Sequence, residues 1–200
     1  AVVIIAGGID LSVASMMAVC AVTTAVLMER MAGVPALIIV LLAGAAMGAT
    51  NGALIVLTKV PDIVVTLAML FVWEGVALLI LSSPGGATAD WLEGAIRGSF
   101  IFSWLPKAFL IIAIVSALLW GSLQRTKLGL SIYAIGSDEL AAFRSGISIG
   151  RTKVAAYAIC GLFCAFGGLS LAALTGIGEP VPGPYLMVSI AAVVLGGVVL

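Results

Sequence analysis

Residues 34–57 read VPALIIVLLAGAAMGATNGALIVL. The run holds no charged side chain and exceeds the roughly 20 mostly apolar residues an α-helix needs to cross a bilayer. Gly44, Gly48 and Gly52 make two overlapping GxxxG steps on one helix face, with Ala45, Ala46 and Ala49 beside them. Small residues at that spacing let helix backbones approach closely, so the stretch predicts a spanning helix packed on a neighbour. Working outward, Ile63–Leu81 and Val154–Leu174 meet the same length test. Pro106–Leu123 falls slightly short, with Pro106 suited to a first helical turn. Ala1–Met28 is too long for one straight pass, since it would reach about 42 Å at 1.5 Å per residue. Its interior reads Gly7-Gly8-Ile9-Asp10, two helix breakers and a carboxylate, which predicts a discontinuous segment. Met187–Leu200 reads as a last helix cut short. The expectation is an all-α polytopic transmembrane helix bundle: one domain over residues 1–200, about six membrane segments, the first and last incomplete, and a longer parent chain.

The composition agrees. Of 200 residues, 63% are hydrophobic and 9% charged, against about 25% charged in a soluble domain; mean hydropathy is +1.32. Nine basic and nine acidic residues cancel, so no basic surface points to nucleic acid. There is no histidine, which removes the commonest general base and nitrogen metal ligand. Cys20, Cys160 and Cys164 form no CxxC pair; they read as small buried hydrophobes rather than a zinc site. No cofactor is expected.

Orientation follows from the basic residues. The connection Gln124–Lys153 holds Arg125, Lys127, Arg144, Arg151 and Lys153, whereas Thr175–Leu186 holds none. Placing the former in the cytoplasm, with Lys59 on the same side, leaves Arg30, Arg97 and Lys107 outside. Trp104 and Trp120 then bracket the fourth helix as an aromatic belt.

Two regions carry candidate chemistry. Ionisable groups within a membrane are costly and suggest function, which selects Asp10 and Glu74. Asp10 follows the Gly-Gly break, where freed backbone can line a cavity; as a favoured N-cap it can equally cap a helix beginning at Leu11 or Ser12. Glu74 either faces a pathway or pairs with a donor elsewhere, and Asn51 suits a bond across helices. In the connection, Ser137 reads as an N-cap, with Asp138 and Glu139 in the first turn, then Leu140–Phe143, Arg144 and a terminating Gly146. A helix of about two turns over 138–145 is too short to stand alone in water, so it docks either on its own protein or on a partner.

The string Gly7-Gly8-Ile9-Asp10-Leu11-Ser12-Val13 resembles the GGIDLSVGS segment of the permease subunits of bacterial ABC sugar importers of the ribose/xylose type. Further similar motifs follow in order: Asn51-Gly52; Pro61 with Ile63–Leu67; Thr126, Gly129 and Tyr133–Gly136; Ala141-Ala142 with Ser145–Ile147; Tyr157, Gly161-Leu162 and Gly167–Leu169; and Ile190–Val194 with Gly196-Gly197. Ala14 departs from the pattern's Gly, Leu140 from its Glu, and Val188 from a common Asp. Relatives usually carry Arg near Glu74.

The resemblance implies an ATPase-coupling loop at Glu139, Ala141, Ala142, Gly146 and Ile147. It also implies a translocation path for which Asp10, Ser12, Asn51, Thr66 and Glu74 are candidates. The implied partners are an ATP-binding cassette ATPase subunit, a periplasmic sugar-binding protein, a second permease copy and membrane lipid, in a multi-pass protein of the bacterial inner membrane. No Gly stands in GxxxxGK[ST] register before any lysine, so ATP hydrolysis is expected of another polypeptide and the chain is not itself an enzyme. A ribose/pentose-like or related monosaccharide is the implied cargo; deoxysugars, polyols and the furanosyl signal autoinducer-2 pass through similar permeases. The alternative is an ion-coupled secondary transporter using Asp10 and Glu74.

Overall fold

A computed structural model describes residues 2–31, 33–99, 106–181 and 183–196. It is all helix, with α1 (Val2–Ile5), α2 (Val13–Arg30), α3 (Val34–Thr58), α4 (Asp62–Ile80), α5 (Asp90–Ile96), α6 (Lys107–Gln124), α7 (Lys127–Ser137), α8 (Glu139–Arg144), α9 (Ile149–Thr175) and α10 (Tyr185–Leu195). Five of these, α2, α3, α4, α6 and α9, are long and apolar enough to cross a membrane. The break expected inside Ala1–Met28 is present, between α1 and α2. Trp104, one of the two belt tryptophans, lies outside the described residues.

The bundle is built on α2, whose Met16, Ala18, Val19 and Val22 are buried among α3, α4 and α9. The Gly44/Gly48/Gly52 face packs on α9, as its spacing predicts. A Cβ at Gly44 would sit 2.6 Å from both the Ala165 Cβ and the Gly161 carbonyl oxygen; one at Gly48 would collide with the Tyr157 backbone. The third helix joins the same way, since a Cβ at Gly168 would lie 2.6 Å from the Cys20 Cβ. Cys20 and Cys164 are buried in this core as free thiols. Outward, α4 exposes Ile63, Val64, Leu67 and Phe71, and α6 exposes Phe109, Ile112, Ile114 and Leu118. Apolar faces of that extent belong against hydrocarbon or another protein.

The connections hold more structure than their composition suggests. α5 lies within 82–105, and α7 and α8 fill most of 124–153. Helix α9 starts at Ile149, five residues before the apolar run, so Arg151 and Lys153 belong to its first turns rather than to a loop. α7 folds back on the bundle: the Tyr133 ring meets that of Trp120 at a tilt of 56° and 6.1 Å between centroids, and Ile132 is buried with Val2, Ala6 and Ala156.

The two ends of the bundle differ. At one, the turn between α3 and α4 meets α8 and the start of α9, where Lys153 pairs with Glu139 at 3.3 Å. At the other, Gly85 and Gly178 exchange backbone hydrogen bonds of 3.1 and 2.8 Å. There Arg97 pairs with Glu93 and donates to the Leu174 carbonyl at 3.0 and 3.1 Å.

Candidate translocation site

Helix α1 stops because Gly7 adopts the left-handed conformation, at φ +79°. Gly8 N–H then donates to the Val3 carbonyl and Gly7 N–H to the Ile4 carbonyl, each at 2.9 Å. This nested pair is the glycine-terminated Schellman arrangement. Gly8 is required for a different reason: a Cβ there would collide with the Asp62 carboxylate and lie 3.0 Å from the Tyr157 hydroxyl.

Residues 9–12 then run non-helically to α2. Asp10 does not occupy the N-cap. The helix begins at Val13 with Ser12 in the cap position, and Asp10 organises the turn before it. Its Oδ1 accepts from the Ser12 N–H at 2.9 Å and from the Ser12 hydroxyl at 2.7 Å. Asn51 Nδ2 donates to that same hydroxyl at 2.7 Å, and Asn51 Oδ1 accepts from Trp73 Nε1 at 3.1 Å. A chain of polar contacts thus joins the break to α3 and α4. Thr66 fastens the other side of it, with its hydroxyl 2.8 Å from the Asp62 carbonyl and 3.2 Å from the Ile9 carbonyl.

Four of the five candidate path residues, Asp10, Ser12, Asn51 and Thr66, therefore converge, all of them buried. Glu74 does not join them. It is half-buried two turns beyond Thr66, and the ion pairs among the described residues, Arg97–Glu93 and Lys153–Glu139, leave it out. Sequence reading gave no site role to Asp62 or to Tyr157, the latter appearing only as a motif residue: Tyr157 OH donates to Asp62 Oδ2 at 2.9 Å and lies 3.5 Å from the Ile9 carbonyl.

One atom in this network is unsatisfied. Asp10 Oδ2 is buried and, among the described residues, has no hydrogen-bond partner. Asp10 lines a cavity of about 430 Å³ with Leu11, Met17, Phe163, Ser189 and Ile190, an otherwise largely apolar wall to which α1, α2, α4, α9 and α10 contribute. Buried polar atoms are almost always bonded, which makes this oxygen the exception in an otherwise satisfied network.

The second candidate region is α8. Its N-cap is Asp138, not Ser137, which ends α7; Asp138 Oδ1 accepts from the Ala141 N–H at 2.9 Å. The carboxylate displaces the hydroxyl as cap because it stands immediately before the first helical residue, where the orphan N–H groups point. Gly146 ends the helix at φ +83°, with Ile147 N–H on the Ala142 carbonyl at 3.1 Å and Gly146 N–H on the Phe143 carbonyl at 2.9 Å, the same termination as in α1. The implied coupling residues divide between two faces of this helix. Ala142 is buried in its own chain, whereas Leu140 and Phe143 are 58% and 65% exposed and Glu139 and Ala141 are also outward. A six-residue helix must bury one side on its own protein to persist, and Ala142 is on that side.

The family described as branched-chain amino acid transport system / permease component matches residues 1–199. The autoinducer 2 import system permease protein LsrD of Escherichia coli (strain K12) is 37% identical over 209 residues, covering 98% of this chain and 61% of its own. The proteins of that name from Shigella flexneri and Escherichia coli O157:H7 give the same identity and coverage. The chain thus spans about 61% of the length of the curated relatives it matches. No solved structure matches it. With membrane-length apolar helices throughout and a family match from end to end, the chain belongs to the branched-chain amino acid transport system / permease component family, as a multi-pass protein of the bacterial inner membrane.

Proposed function

We propose that this chain forms the translocation path of an ATP-driven ABC importer for a small sugar-like solute, either a monosaccharide or a furanosyl compound of the autoinducer-2 class. The observation that carries the reading is the break at residues 7–12. It puts the buried Asp10 carboxylate, one oxygen of which has no partner among the described residues, beside a cavity, inside a chain that aligns from end to end with import permeases. A hydroxylated solute donates to such an oxygen, and the apolar wall accepts its C–H faces. Energy comes from a separate ATP-binding cassette subunit, cargo from a periplasmic binding protein, and the other half of the path from a second permease copy. The autoinducer-2 permeases favour the furanosyl cargo among these; that assignment rests on their name alone.

In this reading, the end bearing α8 and the α3–α4 turn faces the cytoplasm, and α8 is the element that meets the ATPase. Leu140 and Phe143 are the docking side chains, because they are the apolar groups α8 leaves exposed, and Ala142 holds the helix to the permease. Reconstitution with the cognate ATPase and binding protein tests the whole. Uptake should follow ATP and survive a protonophore; collapse by the protonophore with ATP present would return the ion-coupled alternative. Phe143→Asp places a carboxylate in a dry contact, where an unpaired charge costs about 3–5 kcal/mol. It should weaken co-purification of the ATPase at least about tenfold while membrane abundance stays normal. Unchanged co-purification would remove α8 from the contact.

A further inference from the structure

Glu139, on α8, accepts a charged hydrogen bond from Lys153 at 3.3 Å. Lys153 lies four residues before Tyr157 on α9, so the two side chains share one helix face, one turn apart. Tyr157 is 1% exposed, packed with Val3 and Ile55. Its hydroxyl grips Asp62 at 2.9 Å and stands 3.5 Å from the Ile9 carbonyl, the peptide just before Asp10. Gly8 lies against both partners, with no room for a side chain. From the other direction, Gly136 near the end of α7 lies against the Ile5 carbonyl so closely that a Cβ there would collide with it. The elements flanking α8 therefore reach the break from two directions, through Tyr157, whose contacts with Asp62 and Ile9 span 95 and 148 residues, and through Gly136 against Ile5.

We propose that Tyr157 is a positioning residue that transmits displacement of α8 to the Asp10 turn, making the break open and close in step with the ATPase. This rests on the importer reading above and adds a residue-level connection to it. Tyr157 is absent from the cavity wall, so it acts through the Ile9 peptide rather than by touching cargo. The hydroxyl is the working part: the ring fills space that phenylalanine fills equally, whereas only an O–H holds Asp62.

The experiment measures ATP hydrolysis and solute uptake in the same proteoliposomes holding permease, ATPase and binding protein. In Tyr157→Phe, ATPase association and hydrolysis without binding protein should match wild type, while solute moved per ATP hydrolysed falls about tenfold, the scale of one lost hydrogen bond to a charged group. Asp62→Asn keeps an acceptor oxygen for the Tyr157 hydroxyl and should retain the wild-type ratio; Asp62→Leu should lose it. A wild-type ratio in Tyr157→Phe overturns the proposal, as does equal loss in Asp62→Asn and Asp62→Leu, which would make charge rather than the hydrogen bond the cause. Should Tyr157→Phe fail to accumulate, the Asp62 pair decides alone. A wild-type complex without ATP-dependent uptake would instead refute the importer reading, separately from the effect of the hydroxyl.

Discussion

Two regions of this bundle use glycine for opposite ends. Along the α3–α9 seam, Gly44, Gly48 and Gly161 remove side chains so that two backbones touch. At residues 7–12, Gly7 turns the chain out of a helix, and an Asp10 carboxylate oxygen has no partner among the described residues beside a cavity. The seam gains close packing everywhere along its length; the break gives up helical hydrogen bonds and accepts an unsatisfied atom. A bundle that needs only to be stable has no use for the second arrangement. The difference separates the part of the molecule that holds its shape from the part proposed to meet cargo.

Substitutions can break this contrast. The largest effect is expected at the seam. Gly48→Leu drives a side chain into the Tyr157 backbone, which cannot yield as a side-chain tip does; overpacking costs about 1–3 kcal/mol in ordinary cores and should reach the upper end here. Abundance in the membrane and thermal unfolding in detergent should both fall sharply, and normal values would show that the helices can separate at no loss. Asp10→Asn should behave the other way round. An amide oxygen still accepts from Ser12, and most of the turn survives, so abundance and unfolding should stay near wild type while uptake falls about tenfold or more. Equal loss of stability and uptake would make Asp10 part of the scaffold and erase the distinction. The smallest effect is expected at Gly75, in the interior of α4, where a Cβ meets nothing within 4 Å. Gly75→Ala should leave transport unchanged and stabilise by about 0.4–1 kcal/mol through the unfolded chain; a clear loss would show that α4 presents this face to a close partner.

The same contrast explains what could be read without a structure. Spanning helices announce themselves because hydrocarbon demands long apolar runs, and GxxxG spacing reveals its face because the period is local. Gly7 and Gly146 were legible as helix ends for the same local reason. The pairing of Tyr157 with Asp62 was not, since it joins residues 95 apart, although Tyr157 itself falls within a family motif. The inward turn of Ala142 depends on how α8 settles on the bundle, which composition does not encode. The cap shifted from Ser137 to Asp138 because two adjacent residues both suit the position, and only the end of α7 decides between them. Helix α7 was missed although Leu128, Ile132 and Ile135 fall at helical spacing; the basic residues around it read as a loop.

The clasp between Gly85 and Gly178, extended by the Thr88 N–H on the Gly176 carbonyl at 3.2 Å, is made of main chain alone. Main-chain pairing is indifferent to the identity of neighbouring side chains. Close packing still confines Gly178, whose added Cβ would lie 2.7 Å from the Val22 Cα. Residues such as Ser83 and Val181, exposed on either side of the clasp, carry no such constraint. This rim can therefore change its chemical face while its shape persists, without refolding the bundle beneath it.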